Sequence, residues 1–169
     1  LFYRAVAGRK PYLLVHDGDL ATYDLASAVR RSLLYGLFPT PNRDEALGAD
    51  YWDVTAYTDR DRPLFRQMVP LFRMEAEAGW EPETFATAPD APLLPIERWG
   101  RAPGPLLFSA WNGSAAPVPA TVTVDLQALG VSPASVGRVV DLVEAGVRPS
   151  RIVGTTLELS DTLAPDAAR

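Results

Sequence analysis

The apolar residues of this chain change their spacing near residue 85, and that change constrains the fold more than any other feature. Before it they stand in short continuous runs or at helical intervals; after it they alternate. "PYLLVH" (11–16) is a continuous apolar run entered through a proline, which predicts a strand buried on both faces. Asp24 is placed to cap a helix over 25–35, in which Leu25, Val29 and Leu33 share one face. "GLFP" (36–39) is too short for a helix and predicts a second buried strand, followed by a long loop over 40–59. Loops of that length inside a compact domain usually carry function. Asp61 and Pro63 open a further helix with Leu64, Phe65, Met68, Leu71 and Phe72 at helical spacing, kinked at Pro70 and ended by Gly79. "LFYRAVAG" (1–8) reads as the end of an earlier helix with Gly8 in the left-handed position. The order helix, strand, helix, strand, helix is that of parallel βα units.

Beyond residue 85 the pattern is that of strands. "PDAPLLP" (89–95) is a stiff connector, one reason that the chain holds 16 prolines where an average composition would hold roughly 8. In "ATVTVDL", Ala120, Val122, Val124 and Leu126 alternate with Thr121, Thr123 and Asp125, as in a strand with one wet face. "LLPIERWG", "PLLFSAWN", "VGRVVDLV" and "IVGTTLELS" repeat such runs at similar spacing. Residues 1–84 therefore predict parallel βα units, and residues 85–169 an antiparallel all-β module, read as a small sandwich.

Composition removes several classes of function. Net charge is −5 with no basic run, which argues against a nucleic-acid partner. The absence of cysteine excludes disulfides, thiol catalysis and cysteine metal sites, and leaves localisation open between cytoplasm and export. No apolar run is long enough to span a bilayer. The chain begins at Leu1, inside what reads as a helix and without an initiator methionine, so it is expected to be a fragment.

The only histidine stands in "HDGD" (16–19). A metal site there would need further oxygen ligands where Leu20 and Ala21 stand, so no metal is expected, and His16 is read as a hydrogen-bonded core residue. There is no glycine-rich phosphate loop and no nucleophile elbow, and no cofactor is expected. "NGS" (112–114) matches a glycosylation sequon, a pattern common by chance.

"RRSLLYGLFPTP", "YWD", "RDRPLFRQMVPLFRMEAEAGWEPETFA", "IERWG" and "LLFSAWNGS" together resemble the C-terminal part of bacterial glycoside-hydrolase-like proteins. The resemblance covers roughly residues 12–130. It implies the last βα units of a (β/α)8 TIM barrel over 1–84, with "PYLLVH" and "GLFP" as the seventh and eighth strands. A C-terminal β-sandwich lacking its last strand would follow over 85–169. It also implies a carbohydrate substrate. Barrel active sites lie at the C-terminal ends of the strands, which would put residues 16–23 and 40–59 beside the site. Asp17 and Asp19 are then candidate contacts to sugar hydroxyls, or else solvated acids that organise the turn. Tyr51 and Trp52 are candidates to stack on a sugar, or else pack beneath the loop. Trp80, Trp99 and Trp111 are read as structural. Glycoside hydrolysis uses a pair of carboxyl groups, which the resemblance places upstream of residue 1. No catalytic residue is therefore assigned, and the isolated chain is expected to lack hydrolase activity. The rival expectation is a non-catalytic carbohydrate-binding or assembly protein on the same fold. Oligomeric state is not read.

Overall fold

The computed structural model describes Val6 and residues 12–168. Gly8 and most of the helix expected over 1–8 lie outside the described residues, as does Pro11. The first unit is β1 (Tyr12–Gly18), α1 (Leu25–Tyr35) and β2 (Leu37–Asp44), with β1 and β2 parallel. The Asp24 side chain accepts the Ser27 N–H at 3.0 Å and so caps α1. Gly36 ends the helix at φ 58°, a conformation that a Cβ would penalise.

β2 then turns at residues 45–48 into β3 (Ala49–Asp50), which pairs antiparallel with it. A single 3-10 turn (Tyr51–Asp53) leads into α2 (Thr55–Ala78). The segment expected as a loop over 40–59 is thus mostly regular. α2 starts six residues before Asp61 and runs through both Pro63 and Pro70. An interior proline costs about 3 kcal/mol. Against that cost the helix buries Tyr57, Met68, Leu71 and Phe72, and fully buried side chains of this size are worth about 1.5–3 kcal/mol each. Both prolines lie on its exposed side.

The rest of the chain is antiparallel. β8 (Val118–Asp125) pairs along its whole length with β12 (Thr156–Leu163), flanked by β5 (Ala86–Thr87) and β11 (Ser150–Val153). A second sheet holds β4 (Trp80–Glu81), β6 (Ile96–Trp99) and β7 (Leu107–Ala110) in that order, and β9 (Val139–Asp141) with β10 (Gly146–Arg148) forms a hairpin. Ile96 and Phe108 from the second sheet pack against Val124 and Leu157 of the first. The alternation in "ATVTVDL" is realised in β8, where Ala120 and Val124 are buried.

Leu25, Val29 and Leu33 of α1 meet Met68, Leu71 and Phe72 of α2 in one core cluster, joined by Ala168 and Trp111 from the antiparallel part. Polar bonds tie the same seam. Asp166 accepts Ser27 Oγ and Arg30 Nη1, both at 2.9 Å, and Trp111 Nε1 at 3.2 Å. Trp99 is buried and donates to Ser109 Oγ, which donates in turn to the Leu34 carbonyl. Trp80 donates to Glu97.

The expected end of a TIM barrel is not what the chain forms. Residues 12–168 hold two α-helices and mostly small antiparallel sheets, with no repeat of βα units beyond the first. The sequence departs from the barrel pattern at two places. The turn after Asp44 reverses the chain into β3, and Gly79 releases α2 into β4, which joins β6 antiparallel. β1 also differs from its expectation. As an edge strand it leaves Leu13, Leu14 and Val15 at 66%, 38% and 55% exposure, so it is not buried on both faces.

Candidate functional site

Parallel pairing brings the C-terminal ends of β1 and β2 to one edge, the place where open parallel sheets bind ligands. The register slips between His16 and Asp17: His16 faces Pro41, Asp17 faces Arg43, and Asn42 is the extra residue. Such bulges bend a strand and re-aim a side chain. Here Asn42 Nδ2 donates to Asp17 Oδ1 at 2.9 Å, and both side chains are exposed.

Beneath this rim lies a buried polar network. Asp44 is fully buried and accepts the Tyr57 hydroxyl at 2.6 Å, the Leu47 N–H at 2.8 Å and the Leu20 N–H at 3.1 Å. The Tyr57 hydrogen bond, followed by that from Leu47, holds the Asp44 carboxyl below the ordinary carboxylate value although burial opposes this. The same bond pushes the Tyr57 hydroxyl up. Tyr51 is buried and donates to Asp61 Oδ2 at 3.0 Å; burial first, then this bond, pushes its hydroxyl well above the usual tyrosine value. Arg60 donates to both oxygens of Asp61 at 2.8 Å, which raises its own pKa, and also reaches the Leu20 carbonyl. Leu20 therefore joins both halves: its N–H goes to Asp44 and its carbonyl takes Arg60.

All four residues singled out from the sequence stand at this end, in different states. Asp19 is committed to the turn, its carboxylate taking Ala21 N–H, Thr22 N–H and the Thr22 hydroxyl. Tyr51 is 1% exposed and belongs to the network. Trp52 is 63% exposed, and its ring meets Tyr51 edge-on at 4.9 Å and 90°. Asp17 lies on the surface with Asn42. His16 is half-buried rather than a core residue, stacked on Tyr23 at 3.7 Å. Among the described residues no group of three or more His, Asp or Glu side chains is placed to hold a metal. Asn112 of the sequon is buried and donates to the carbonyls of Ala116, Leu163 and Ala164, so it pins the chain ends of two strands.

Asn42, Asp44, Tyr57 and Arg60 went unnoticed in the sequence, and Asp61 was noticed only as a helix start. One signal was there: Tyr57 and Asp61 stand four apart, hence on one helix face, with Arg60 beside them. Nothing in the spacing of Asp44 pointed to Tyr57. No family model matches the chain, and neither does a curated protein or a solved structure.

Proposed function

We propose that the rim at the end of β1 and β2 binds carbohydrate without hydrolysing it. The observation that carries this reading is Trp52, a flat ring left mostly exposed on a base held rigid by Tyr51, Asp61 and Arg60. Its apolar face suits the C–H face of a sugar and its N–H suits a hydroxyl. Asp17 and Asn42 at the same end supply an acceptor and a donor for further hydroxyls. Binding is preferred to hydrolysis for a chemical reason. A glycosidase needs a carboxyl held protonated at neutral pH, whereas Asp44 is held low and already accepts three bonds. Asp61 is likewise occupied by Tyr51 and Arg60.

The test is a fluorescence titration with a panel of neutral and acidic oligosaccharides, on the unaltered chain and on Trp52→Ala. One sugar is expected to give a saturable change, with at least about tenfold weaker affinity after the substitution, the scale set by loss of a stacked aromatic anchor. A panel without a saturable response, or unchanged affinity in Trp52→Ala, overturns the reading.

A further inference from the structure

Asp17, Asp19, Asp44 and Asp61 stand at the end of β1 and β2, and three of them are fully engaged within the protein. Both oxygens of Asp19, of Asp44 and of Asp61 accept hydrogen bonds, from backbone N–H groups, Thr22, the two tyrosines and Arg60. Asp17 differs. Its Oδ1 accepts Asn42 Nδ2 at 2.9 Å, and its Oδ2 takes no bond from a described residue. Arg43 stands opposite Asp17 in the register, yet its guanidinium donates to the Gly48 carbonyl at 3.1 Å and pairs with Asp50 at 3.6 Å.

The bulge accounts for the pairing. Asn42 is the extra residue where the register slips, so no residue of β1 stands opposite it. A bulge re-aims its side chain, and here the Asn42 amide meets Asp17 on the neighbouring strand. A carboxylate oxygen only accepts, so the amide turns its nitrogen toward Asp17, and one of its two N–H groups is used in that bond. The second N–H is left over. The pair therefore sets an acceptor, Asp17 Oδ2, beside a donor, Asn42 Nδ2, on exposed side chains. A single hydroxyl satisfies one of the two. Hydroxyls on adjacent carbons satisfy both, the first donating to Asp17 and the second accepting from Asn42. The bond to the carboxylate is the stronger, and Asn42 fixes the direction in which that carboxylate faces.

We propose that Asp17 and Asn42 together read a vicinal diol, two unsubstituted hydroxyls on adjacent ring carbons, and that Asn42 is the specificity-determining residue. The proposal rests on the carbohydrate reading of the rim. The probes are cellotetraose, maltotetraose and mannotetraose, each also in a form methylated at the adjacent 2- and 3-hydroxyls. Binding to the unaltered chain, to Asp17→Asn and to Asn42→Ala is read by calorimetric titration. At least one unmodified tetrasaccharide is expected to bind saturably, and its methylated form at least about tenfold more weakly, the scale of a lost bond to a charged group. Asp17→Asn should weaken the unmodified sugar about tenfold, and methylation should then cost little more, because its partner is already gone. Asn42→Ala should lower the ratio of the two affinities at least about threefold. Both side chains are exposed, so both variants should keep the fold by circular dichroism. If one does not, the other variant and the methylated probes on the unaltered chain decide. Equal affinity for the methylated form, additive effects of methylation and Asp17→Asn, or an unchanged ratio in Asn42→Ala overturns the proposal. Each of these leaves Trp52-dependent binding, and so the carbohydrate reading, in place. Absence of binding by every probe overturns that reading and the proposal with it.

Discussion

Two regions of the molecule are held in opposite ways. Where β1 and β2 finish, the interior is polar and closed: Asp44, Tyr57, Tyr51 and Asp61 are buried and mutually bonded. A cleft of about 1030 Å³ that residues of β7, β8, β9 and β12 line is mainly apolar. Directional bonds within the polar end hold loops in place and leave a rigid surface above them. The cleft has apolar walls, whose packing is non-directional.

Phe72→Ala tests, with the largest expected effect, whether both regions belong to one cooperative structure. Phe72 is 1% exposed in the cluster that α1 and α2 share with Ala168. Its truncation should cost about 3–5 kcal/mol in urea unfolding, with fluorescence and circular dichroism moving together. Two separate transitions would mean that the regions are independent units.

Tyr51→Phe sharpens the polar half. It keeps the ring and removes one buried bond to a carboxylate, so about 1.5–3 kcal/mol should be lost. A loss near zero would mean that Asp61 is satisfied by Arg60 alone. Replacement of the half-buried Leu159 of the cleft by alanine should cost less than is usual for a core leucine, because its surroundings are already open.

The smallest effect is in the shape of a pH profile. The folded Asp44 carboxyl titrates below its ordinary value, so between the two values the unfolded chain binds more protons. Its stabilising contribution is therefore complete above about pH 4 and lost as pH falls through the lower, folded value. Urea midpoints measured from pH 2 to 6 should rise with pH in the unaltered chain and rise less in Asp44→Asn. Parallel profiles would remove Asp44 from the acid dependence.

Local chemistry was legible wherever a residue acts on its own neighbours. Asp24 caps α1 by bonding three residues ahead, and Gly79 stands directly after the last residue of α2. β8 could be read because its alternation repeats at every second residue. The partners of the candidate site are farther apart: Asp44 bonds Leu20 and Tyr57, and Arg60 reaches Leu20, over separations that leave no periodic trace.

β1 shows the same limit from the other side. An apolar run records that a strand is favourable, but burial on both faces needs neighbours that its own residues do not name, and here only β2 pairs with it. α2 starts at Thr55, and in its first turn Tyr57 bonds Asp44, a partner that the helix-start signals at Asp61 and Pro63 do not name. The sequence by itself determined caps, turns and alternation, whose energies arise within a few residues. Only the tertiary structure decided which carboxylates are buried and which aromatic stays exposed. Those outcomes depend on groups brought together from distant parts of the chain.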